Sequence, residues 1–424
     1  MTALSDNKHL CALAWNHLHV TIEGRVAPCC VYTSYTAESE KLYNLKTHSL
    51  HEAINSPGMK EMRKAMIDGK PHGLCSVCDY NLANGIRSPR DKFNDRYLQQ
   101  TIELIEKTNS DGSIEIDNFN PVYVDFRFSN LCNLRCRMCS IQASSAWYNE
   151  TVEYNKLTNG GPIYYDKKFE NNKTSEQVNH LLANVEHMYW AGGEPLLLDE
   201  HYSILKHLIE TDRAQHVSLV YNTNMTISKY KGTPVVEYWK HFKHVFVVGS
   251  IDGIEEVSDY IRTGSSWEKT KEVFEEFKNS GYDNIQVHPC LTVSMLNILY
   301  VPSLIKWCYE NMWFDKNMAE IAINFVDYPP EMCIKYMPKN YIPIVNELFS
   351  ELYEWLTDNG HPRSIQPIEA IMKYIDGSDC DEQEITSNLS ALYNRLEVYD
   401  VTGKLDWKSS LPELAALLKE YETP

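Results

Sequence analysis

The amino-acid sequence predicts an α/β fold: a partial (β/α)6 TIM-like barrel, preceded by a small cysteine-rich α+β domain and followed by C-terminal helices. Strand-like and helical patterns alternate from about residue 121. Eight of the 12 cysteines fall before residue 140, and the pattern after about residue 337 is mostly helical. We therefore divide the chain into a cysteine-rich domain, a polar linker, a barrel and a helical region, at residues 1–100, 101–120, 121–337 and 338–424.

Six strand-like runs support the barrel. They lie at residues 121–129, 185–193, 216–224, 244–253, 284–294 and 319–326. Helical patterns lie between them at 175–185, 200–211, 267–281 and 301–312. Alternating strands and helices predict a parallel sheet with crossover helices, and six units favour an open barrel over a closed eight-stranded one.

The cysteine-rich segment has its own pattern of elements. The stretch "LHVTIEG" alternates like a strand and ends at the turn residue Gly24. Residues 49–70 predict a helix that breaks near Ser56 and Pro57 and a second helix that ends at Gly69.

Composition restricts the possible functions. The net charge of −18, from 40 basic and 58 acidic side chains, disfavours a nucleic-acid partner, because proteins that follow a phosphate backbone present a basic face. No run of about 18 apolar residues predicts a membrane span, and the N-terminal residues lack the pattern of a secretion signal. We expect a cytoplasmic protein whose thiols stay reduced and available as metal ligands.

A compact cysteine motif follows the first barrel strand. In "SNLCNLRCRMCS", Cys132, Cys136 and Cys139 have the spacing C-x3-C-x2-C. Three thiolates on one loop can hold three irons of a [4Fe–4S] cluster and leave the fourth iron open to a ligand. The spacing alone also fits a zinc knuckle or a redox-inert cluster.

This stretch resembles the signature of the radical SAM superfamily. The resemblance implies that S-adenosylmethionine (SAM) chelates the open iron, and that an electron from the reduced cluster cleaves it to a 5′-deoxyadenosyl radical. This radical abstracts hydrogen from the substrate, and the electron comes from a reductant such as flavodoxin or ferredoxin. Family members usually have an aromatic residue before the last cysteine, where this chain has Met138.

Further motifs of the family stand at the ends of the next strands. "AGGEP" (191–195) resembles the GGE motif, "YNTN" (221–224) a polar strand end, "GSIDG" (249–253) the S-x-D-G pattern with its following arginine, and "LTVSMLN" (291–297) a segment that packs on adenine. The resemblance implies cofactor-binding roles for Gly192, Gly193, Glu194, Asn222, Ser250, Asp252, Arg262 and Val293. In particular, Ser250 is a candidate for the ribose hydroxyls and Arg262 for the methionine carboxylate. Each motif alone also fits ordinary loop capping.

The first barrel strand carries an unusual polar face. Tyr123, Asp125 and Arg127 alternate with apolar residues and therefore share one side of the strand. This face either contacts the substrate or forms an internal salt bridge, because a buried charge needs a partner. Three polar residues on later strands have the same two interpretations. Each either faces the barrel lumen or packs in the core: Tyr221, His288 and Asn324.

The upstream cysteines form a second pattern. Cys11, Gly24 and Cys29 have the spacing C-x12-G-x4-C, which resembles the opening of the SPASM and twitch auxiliary domains of radical SAM enzymes. The resemblance implies one auxiliary [4Fe–4S] cluster, with Cys75 and Cys78 as the remaining ligands. This domain usually follows the barrel, whereas here it precedes it. Cys30 is the reserve for Cys29, since it points the other way in an extended chain. A structural zinc site is the alternative.

The sequence thus predicts a radical SAM enzyme with two [4Fe–4S] clusters and SAM. Because SPASM and twitch domains often accompany peptide modification, a peptide or protein is the expected substrate. Two alternatives remain: oxidation of a small metabolite with the auxiliary cluster as electron acceptor, and a non-catalytic metal-binding protein. No catalytic residue is assigned from the sequence.

Overall fold

The structure is a computed structural model. It describes residues 7–34, 36–83, 87–158, 160, 180–314, 322–361, 364–377 and 379–422. Among these residues, no helix has the length and apolar character needed to cross a membrane.

Ten strands are present in the described residues. In chain order, β1 to β10 are His17–Val20, Val26–Ala27, Tyr123–Phe126, His187–Trp190, Ser218–Thr223, Lys229–Tyr230, Thr233–Pro234, His244–Ser250, Ile285–Val293 and Ala322–Phe325.

Sixteen α-helices are present in the same residues. In chain order, α1 to α16 are Leu13–Asn16, Leu50–Ile54, Pro57–Ile67, Ser76–Ala83, Pro89–Glu106, Tyr148–Thr158, Asp199–Glu210, Val236–Trp239, Glu255–Ile261, Trp267–Lys278, Val301–Glu310, Ile342–Asp358, Ile365–Asp376, Glu382–Gly403, Trp407–Ser410 and Pro412–Leu418.

The chain divides into two compact units. The first lies within Met1–Leu131, Asp166–Tyr221 and Glu237–Val245, and the second within Cys132–Tyr165, Asn222–Val236 and Phe246–Pro424.

The first unit contains a sheet of strand order β5–β4–β3–β1–β2. Strand β1 runs parallel to β3, with His17 opposite Tyr123 and His19 opposite Asp125. Strands β3, β4 and β5 are also parallel, whereas β2 is antiparallel to β1. The cysteine-rich segment therefore contributes a strand beside the first predicted barrel strand, a pairing that the sequence did not predict.

The second unit contains strands in the order β10–β9–β8, with β9 and β10 parallel. Burial alternates along β9, so that Val287, Leu291 and Val293 face the core. Helix α10 buries Trp267, Thr270, Val273, Phe274 and Phe277 at helical spacing. After Met337 the described residues are mainly helical, and α12 packs against α13.

The predicted α/β fold class is confirmed, because a strand lies within each of the six predicted runs. The break at Pro57 is also present, since proline lacks an N–H and suits the first turn of a helix. Two local details differ. Helix α5 runs to Glu106 into the predicted linker, and His180–Asn184 is a 3₁₀ helix. Residues 175–179 of that predicted helix lie outside the described residues. The domain boundaries stay a prediction.

Candidate functional site

The cysteine loop of the second unit begins at Cys132 and is shaped by backbone hydrogen bonds. The amides of Arg135 and Arg137 donate to the carbonyls of Thr263 and Ile261, each at 2.7 Å. The Cys139 amide donates to the Cys136 carbonyl at 2.9 Å and closes a tight turn between these two cysteines. The loop is therefore tied to the end of α9 and to the residues just after it.

Arg262 lies beside the cysteine loop. Its Nη1 is 3.7 Å from Sγ of Cys136, and its Nη2 is 2.6 Å from Oδ2 of Asp252, whose side chain is fully buried. Burial alone would lower the pKa of Arg262, but the Asp252 carboxylate and the nearby thiols hold that pKa above its ordinary value. The guanidinium therefore stays charged next to Cys136, where a positive charge favours the thiolate that a metal requires.

Asp252 is itself held by the ends of neighbouring elements. Its Oδ1 accepts a hydrogen bond from the Thr292 amide at 2.8 Å, and its carbonyl accepts one from Asn297 Nδ2 at 3.0 Å. The sequence predicted Asp252 and Arg262 as cofactor-binding residues. The structure brings them together as an ion pair whose arginine also reaches the cysteine loop.

Asn224 contacts the loop at the end of the strand that carries "YNTN". Its Nδ2 donates to Asn133 Oδ1 at 2.9 Å and lies 3.6 Å from Sγ of Cys132. Hydrogen bonds to ligand sulfurs tune the potential of iron–sulfur clusters. Sequence reasoning chose Asn222, which is exposed, and missed Asn224. The signal was present, since Asn224 belongs to the same "YNTN" stretch.

Two further predicted cofactor residues end strands of the second unit. Ser250 is the last residue of β8 and is half-buried. Val293 is the last residue of β9, is fully buried and stands opposite Phe325 of β10. Both occupy the carboxyl ends of strands, where barrels place their sites.

The GGE-like motif lies in the first unit, after β4. The Gly193 amide donates to the Ser129 carbonyl at 3.0 Å, and the Glu194 amide donates to the Leu131 carbonyl at 2.7 Å. A Cβ at position 193 would stand 2.2 Å from the Leu131 carbonyl oxygen, and Gly192 has φ +118°. Only glycines allow this close approach of two backbones. The Glu194 carboxylate is buried and accepts from the Leu196 amide at 3.1 Å.

Four upstream cysteines line one cavity in the first unit. The thiols of this cavity come from Cys11, Cys29, Cys75 and Cys78. Burial raises the pKa of Cys11 to about 11 and that of Cys75 to about 12. These thiols are therefore neutral at pH 7 unless a cation stabilises their thiolates.

Arg90 is the charged residue of this cavity. Its Nη1 donates to Asp79 Oδ1 at 2.8 Å and to the Lys8 carbonyl at 3.1 Å. Asn94, one turn later on α5, bonds the backbone on both sides of Cys11, by accepting from Ala12 and donating to Leu10. Helix α5 thus holds the Cys11 segment in place.

Cys30 does not line the cavity. The pKa of its thiol is raised by burial and by the Asp125 carboxylate, and it is lowered by the charge of Arg127. Its thiol is thus influenced by Asp125 and Arg127 as well as by Cys78.

That polar face contains a histidine that the sequence analysis overlooked. Nδ1 of His19 lies 2.9 Å from Oδ2 of Asp125, and both side chains are buried. Arg127 is more distant, with Nε 3.4 Å from Oδ1 of Asp125. Burial alone would raise the pKa of Asp125, but His19 and Arg127 outweigh it and hold the pKa below its ordinary value. The alternation of "HLHV" in β1 was the missed signal.

The remaining lumen candidates differ in their surroundings. Tyr221 is fully buried, and its hydroxyl lies 2.8 Å from Nε2 of His201, which identifies it as a packing residue. Asn324 is exposed and donates to Sγ of Cys290 at 3.3 Å.

Each cysteine group adjoins a buried arginine nitrogen without a partner. Nε of Arg90 and Nε of Arg262 have no hydrogen-bond acceptor among the described residues. A thiolate-bound iron–sulfur cluster is rich in sulfur acceptors and fits beside such donors. In the part of the chain that the structure describes, no three Cys, His, Asp or Glu side chains are gathered closely enough to hold a single metal ion. The fit to an iron–sulfur cluster therefore depends on the cysteine thiols, on the arginine N–H donors beside them and on the cavity that the four upstream cysteines share.

Comparison with known proteins identifies the class. A family model described as the Radical SAM superfamily matches residues 126–302, and a model described as an iron–sulfur cluster-binding domain, SPASM, matches residues 11–79. The chain is therefore a radical SAM enzyme. It belongs to the radical SAM superfamily and carries its SPASM domain ahead of the radical SAM domain. The cofactors of the radical SAM domain are a SAM-binding [4Fe–4S] cluster and SAM. The SPASM domain binds auxiliary iron–sulfur clusters.

Three solved structures illustrate the similarity. Native anSMEcpe with bound AdoMet is 19% identical, with a TM-score of 0.40 over 61% of this chain and 67% of that chain. Native anSMEcpe with bound AdoMet and Cp18Cys peptide is 20% identical, with a TM-score of 0.39 over 60% and 65%. SuiB of Streptococcus suis bound to precursor peptide SuiA is 15% identical, with a TM-score of 0.35 over 71% and 64%. The chain thus spans about two thirds of the length of these proteins. No curated protein sequence matches it.

Proposed function

We propose that this radical SAM enzyme acts on a peptide or protein. In this proposal Cys132, Cys136 and Cys139 hold the SAM-binding cluster, and Cys11, Cys29, Cys75 and Cys78 hold one auxiliary [4Fe–4S] cluster. The observation that carries the site assignment is the pairing of each cysteine group with a buried arginine: Arg262 beside Cys136, and Arg90 in the cavity of the four upstream thiols.

The chain's own residues prepare the cofactor site. The Asp252 carboxylate fixes Arg262, so that its guanidinium can orient an anionic group without first losing conformational freedom. The Asn224 amide steadies Cys132. When bound, the cluster and SAM supply a 5′-deoxyadenosyl radical that abstracts hydrogen from the substrate.

Two features support a peptide substrate. The first is the SPASM match, since such domains often accompany peptide modification. The second is β10, which ends the strand order of its sheet and exposes Ala322 and Asn324. An extended peptide can add to such an edge by main-chain hydrogen bonds.

The test is an anaerobic assay of the reconstituted full chain with dithionite and SAM. We expect 5′-deoxyadenosine in the absence of substrate, and a mass change in at least one member of a randomised peptide library. Formation of 5′-deoxyadenosine with turnover of small metabolites and of no peptide would reject the peptide proposal. Absence of 5′-deoxyadenosine from a fully iron-loaded protein would reject the assignment of the cysteine loop.

A second candidate is oxidation of a small molecule with the auxiliary cluster as electron acceptor. The buried His19–Asp125 pair favours it, because oxidation of a carbon centre releases a proton that a buried base can accept. A Cys75→Ala, Cys78→Ala double variant separates the roles. Loss of oxidised product with retained hydrogen abstraction would support electron transfer, whereas an unchanged product would exclude it.

A further inference from the structure

Arg137 stands between two of the proposed cluster ligands but cannot be a ligand itself. It follows Cys136 directly and precedes Cys139 by two residues, and its side chain is fully buried. A buried guanidinium is costly unless its donors are paired. The surroundings of Arg137 within the second unit therefore indicate what it does.

The nitrogens of the Arg137 guanidinium are held by two separate parts of the chain. Nε donates to Oγ1 of Thr263 at 3.0 Å, and Nη1 and Nη2 lie 2.5 and 3.4 Å from the two carboxylate oxygens of Glu150 in α6. The planar fork of arginine suits such a two-point contact with a carboxylate.

Two neighbouring aromatic rings lie against the same guanidinium. Its central carbon is 4.8 Å from the ring centre of Trp147 and 4.9 Å from that of Tyr399 in α14. The indole N–H of Trp147 also donates to the Cys136 carbonyl at 3.2 Å. The arginine is thus held by hydrogen bonds to its nitrogens and by contacts with two aromatic rings.

Helix α14 also contacts the carboxylate that pairs with Arg137. Thr402 Oγ1 donates to Oε1 of Glu150 at 3.1 Å, and a Cβ at Gly403 would lie only 3.1 Å from Nη2 of Arg137. The end of this C-terminal helix therefore packs directly against the arginine of the cysteine loop.

We propose that Arg137 is a positioning residue that couples the C-terminal helix α14 to the cysteine loop, through Glu150, Trp147 and Tyr399. It fixes the backbone between Cys136 and Cys139 and thereby sets the geometry in which their thiolates meet the SAM-binding cluster. The C-terminal helical region then supports the cluster. This inference depends on the cysteine assignment in the proposed function.

The test compares full-length variants after identical anaerobic reconstitution. Arg137→Met removes the guanidinium, and Arg137→Lys keeps only its positive charge. Tyr399→Leu removes the aromatic ring, and Tyr399→Phe keeps it. Lys156→Met, an exposed change on α6, is the control. The measurements are iron per chain, the EPR spectrum of the reduced cluster with and without SAM, and the initial rate of 5′-deoxyadenosine formation without substrate.

We expect Arg137→Met to lower this rate on the order of 10–100-fold, the usual effect of losing a group that orients metal ligands, and to change the SAM-dependent EPR signal. Arg137→Lys should restore little, because a single ammonium cannot replace the fork. Tyr399→Leu should lower the rate more than Tyr399→Phe does. Lys156→Met should match the wild type.

A wild-type rate and EPR spectrum in both Arg137→Met and Tyr399→Leu would overturn the proposal. If Arg137→Met does not fold, the contrast between Tyr399→Leu and Tyr399→Phe decides. If the wild type binds iron but shows no SAM-dependent EPR change, the proposed function fails. The positioning role is then judged by whether Arg137→Met broadens the EPR spectrum of the reduced cluster, and an unchanged spectrum rejects it.

Discussion

Cys29 and Cys30 are neighbours in the chain, yet their thiols have different surroundings. Cys29 lines the cavity shared by Cys11, Cys75 and Cys78, whereas Cys30 is exposed and does not line it. Cys30 lies in a turn rather than in an extended segment, so the strand alternation that the sequence suggested does not account for this difference.

The first prediction concerns iron content. The wild type should hold about eight irons per chain, as expected for two [4Fe–4S] clusters. Cys29→Ala should lose about four of them, because it removes one of four proposed ligands, while the SAM-dependent EPR signal is retained. Cys30→Ala is the matched control and should keep all its iron. The reverse result would move the ligand to Cys30, and zinc in place of iron would show a structural metal site.

The second prediction concerns Gly193. Gly193→Ala would place a Cβ 2.2 Å from the Leu131 carbonyl oxygen, so the backbone must shift. We expect a loss of about 1–3 kcal/mol in the free energy of unfolding, as for other overpacked sites, with reduced 5′-deoxyadenosine formation and normal iron content. In the control Gly281→Ala, the new Cβ meets no atom within 4 Å; the φ of +80° strains the backbone there and lowers stability, but this rate should not change. Equal rates in both variants would contradict a role of Gly193.

The third prediction concerns the Asp252–Arg262 ion pair. Asp252→Asn leaves the buried guanidinium without its carboxylate and should lower the free energy of unfolding by about 3–5 kcal/mol, as measured by urea titration. It should also weaken SAM binding, because Arg262 is no longer held in place. Lys269→Met removes one partner of an exposed ion pair and should change stability by less than about 1 kcal/mol. Comparable losses of unfolding free energy in the two variants would show that the buried ion pair stabilises the fold no more than an exposed one.

The fourth prediction concerns pH and His201. Burial lowers the pKa of His201 to about 3 from 6.5, so the folded protein keeps the ring neutral while the unfolded chain protonates it below pH 6.5. Folding stability from this group is therefore complete above pH 6.5 and falls as the pH decreases towards 3. At pH 5 the loss should be about 2 kcal/mol.

His201→Phe tests this expectation. It removes the titrating ring, so the difference in urea-unfolding free energy between pH 7.5 and pH 5 should be smaller in the variant by about 2 kcal/mol. The variant also loses the contact with the Tyr221 hydroxyl, which should lower stability equally at both pH values. An unchanged pH dependence would mean that His201 is not buried as a neutral ring.

Much of the fold follows from local patterns. The six strands and their helices were predictable because alternation of apolar residues and the position of Pro57 act within a few residues. The cysteine spacings likewise indicated the two cysteine groups before any contact was known. By contrast, the parallel pairing of β1 with β3 joins residues about 100 positions apart and leaves no local signal.

The sequence by itself determined the family, the fold class and the types of ligand, because these are written in short motifs and periodicities. Only the tertiary structure decided between Cys29 and Cys30 for the cavity, placed Asn224 rather than Asn222 at Cys132, and paired His19 with Asp125. It alone brought Thr263 to Arg137, across 126 residues of the chain. It also brought Thr402 to the Glu150 carboxylate that pairs with Arg137, across 252 residues. The physical reason is that a buried charge is stabilised by whichever partners the fold brings to it, and those partners can come from anywhere in the chain.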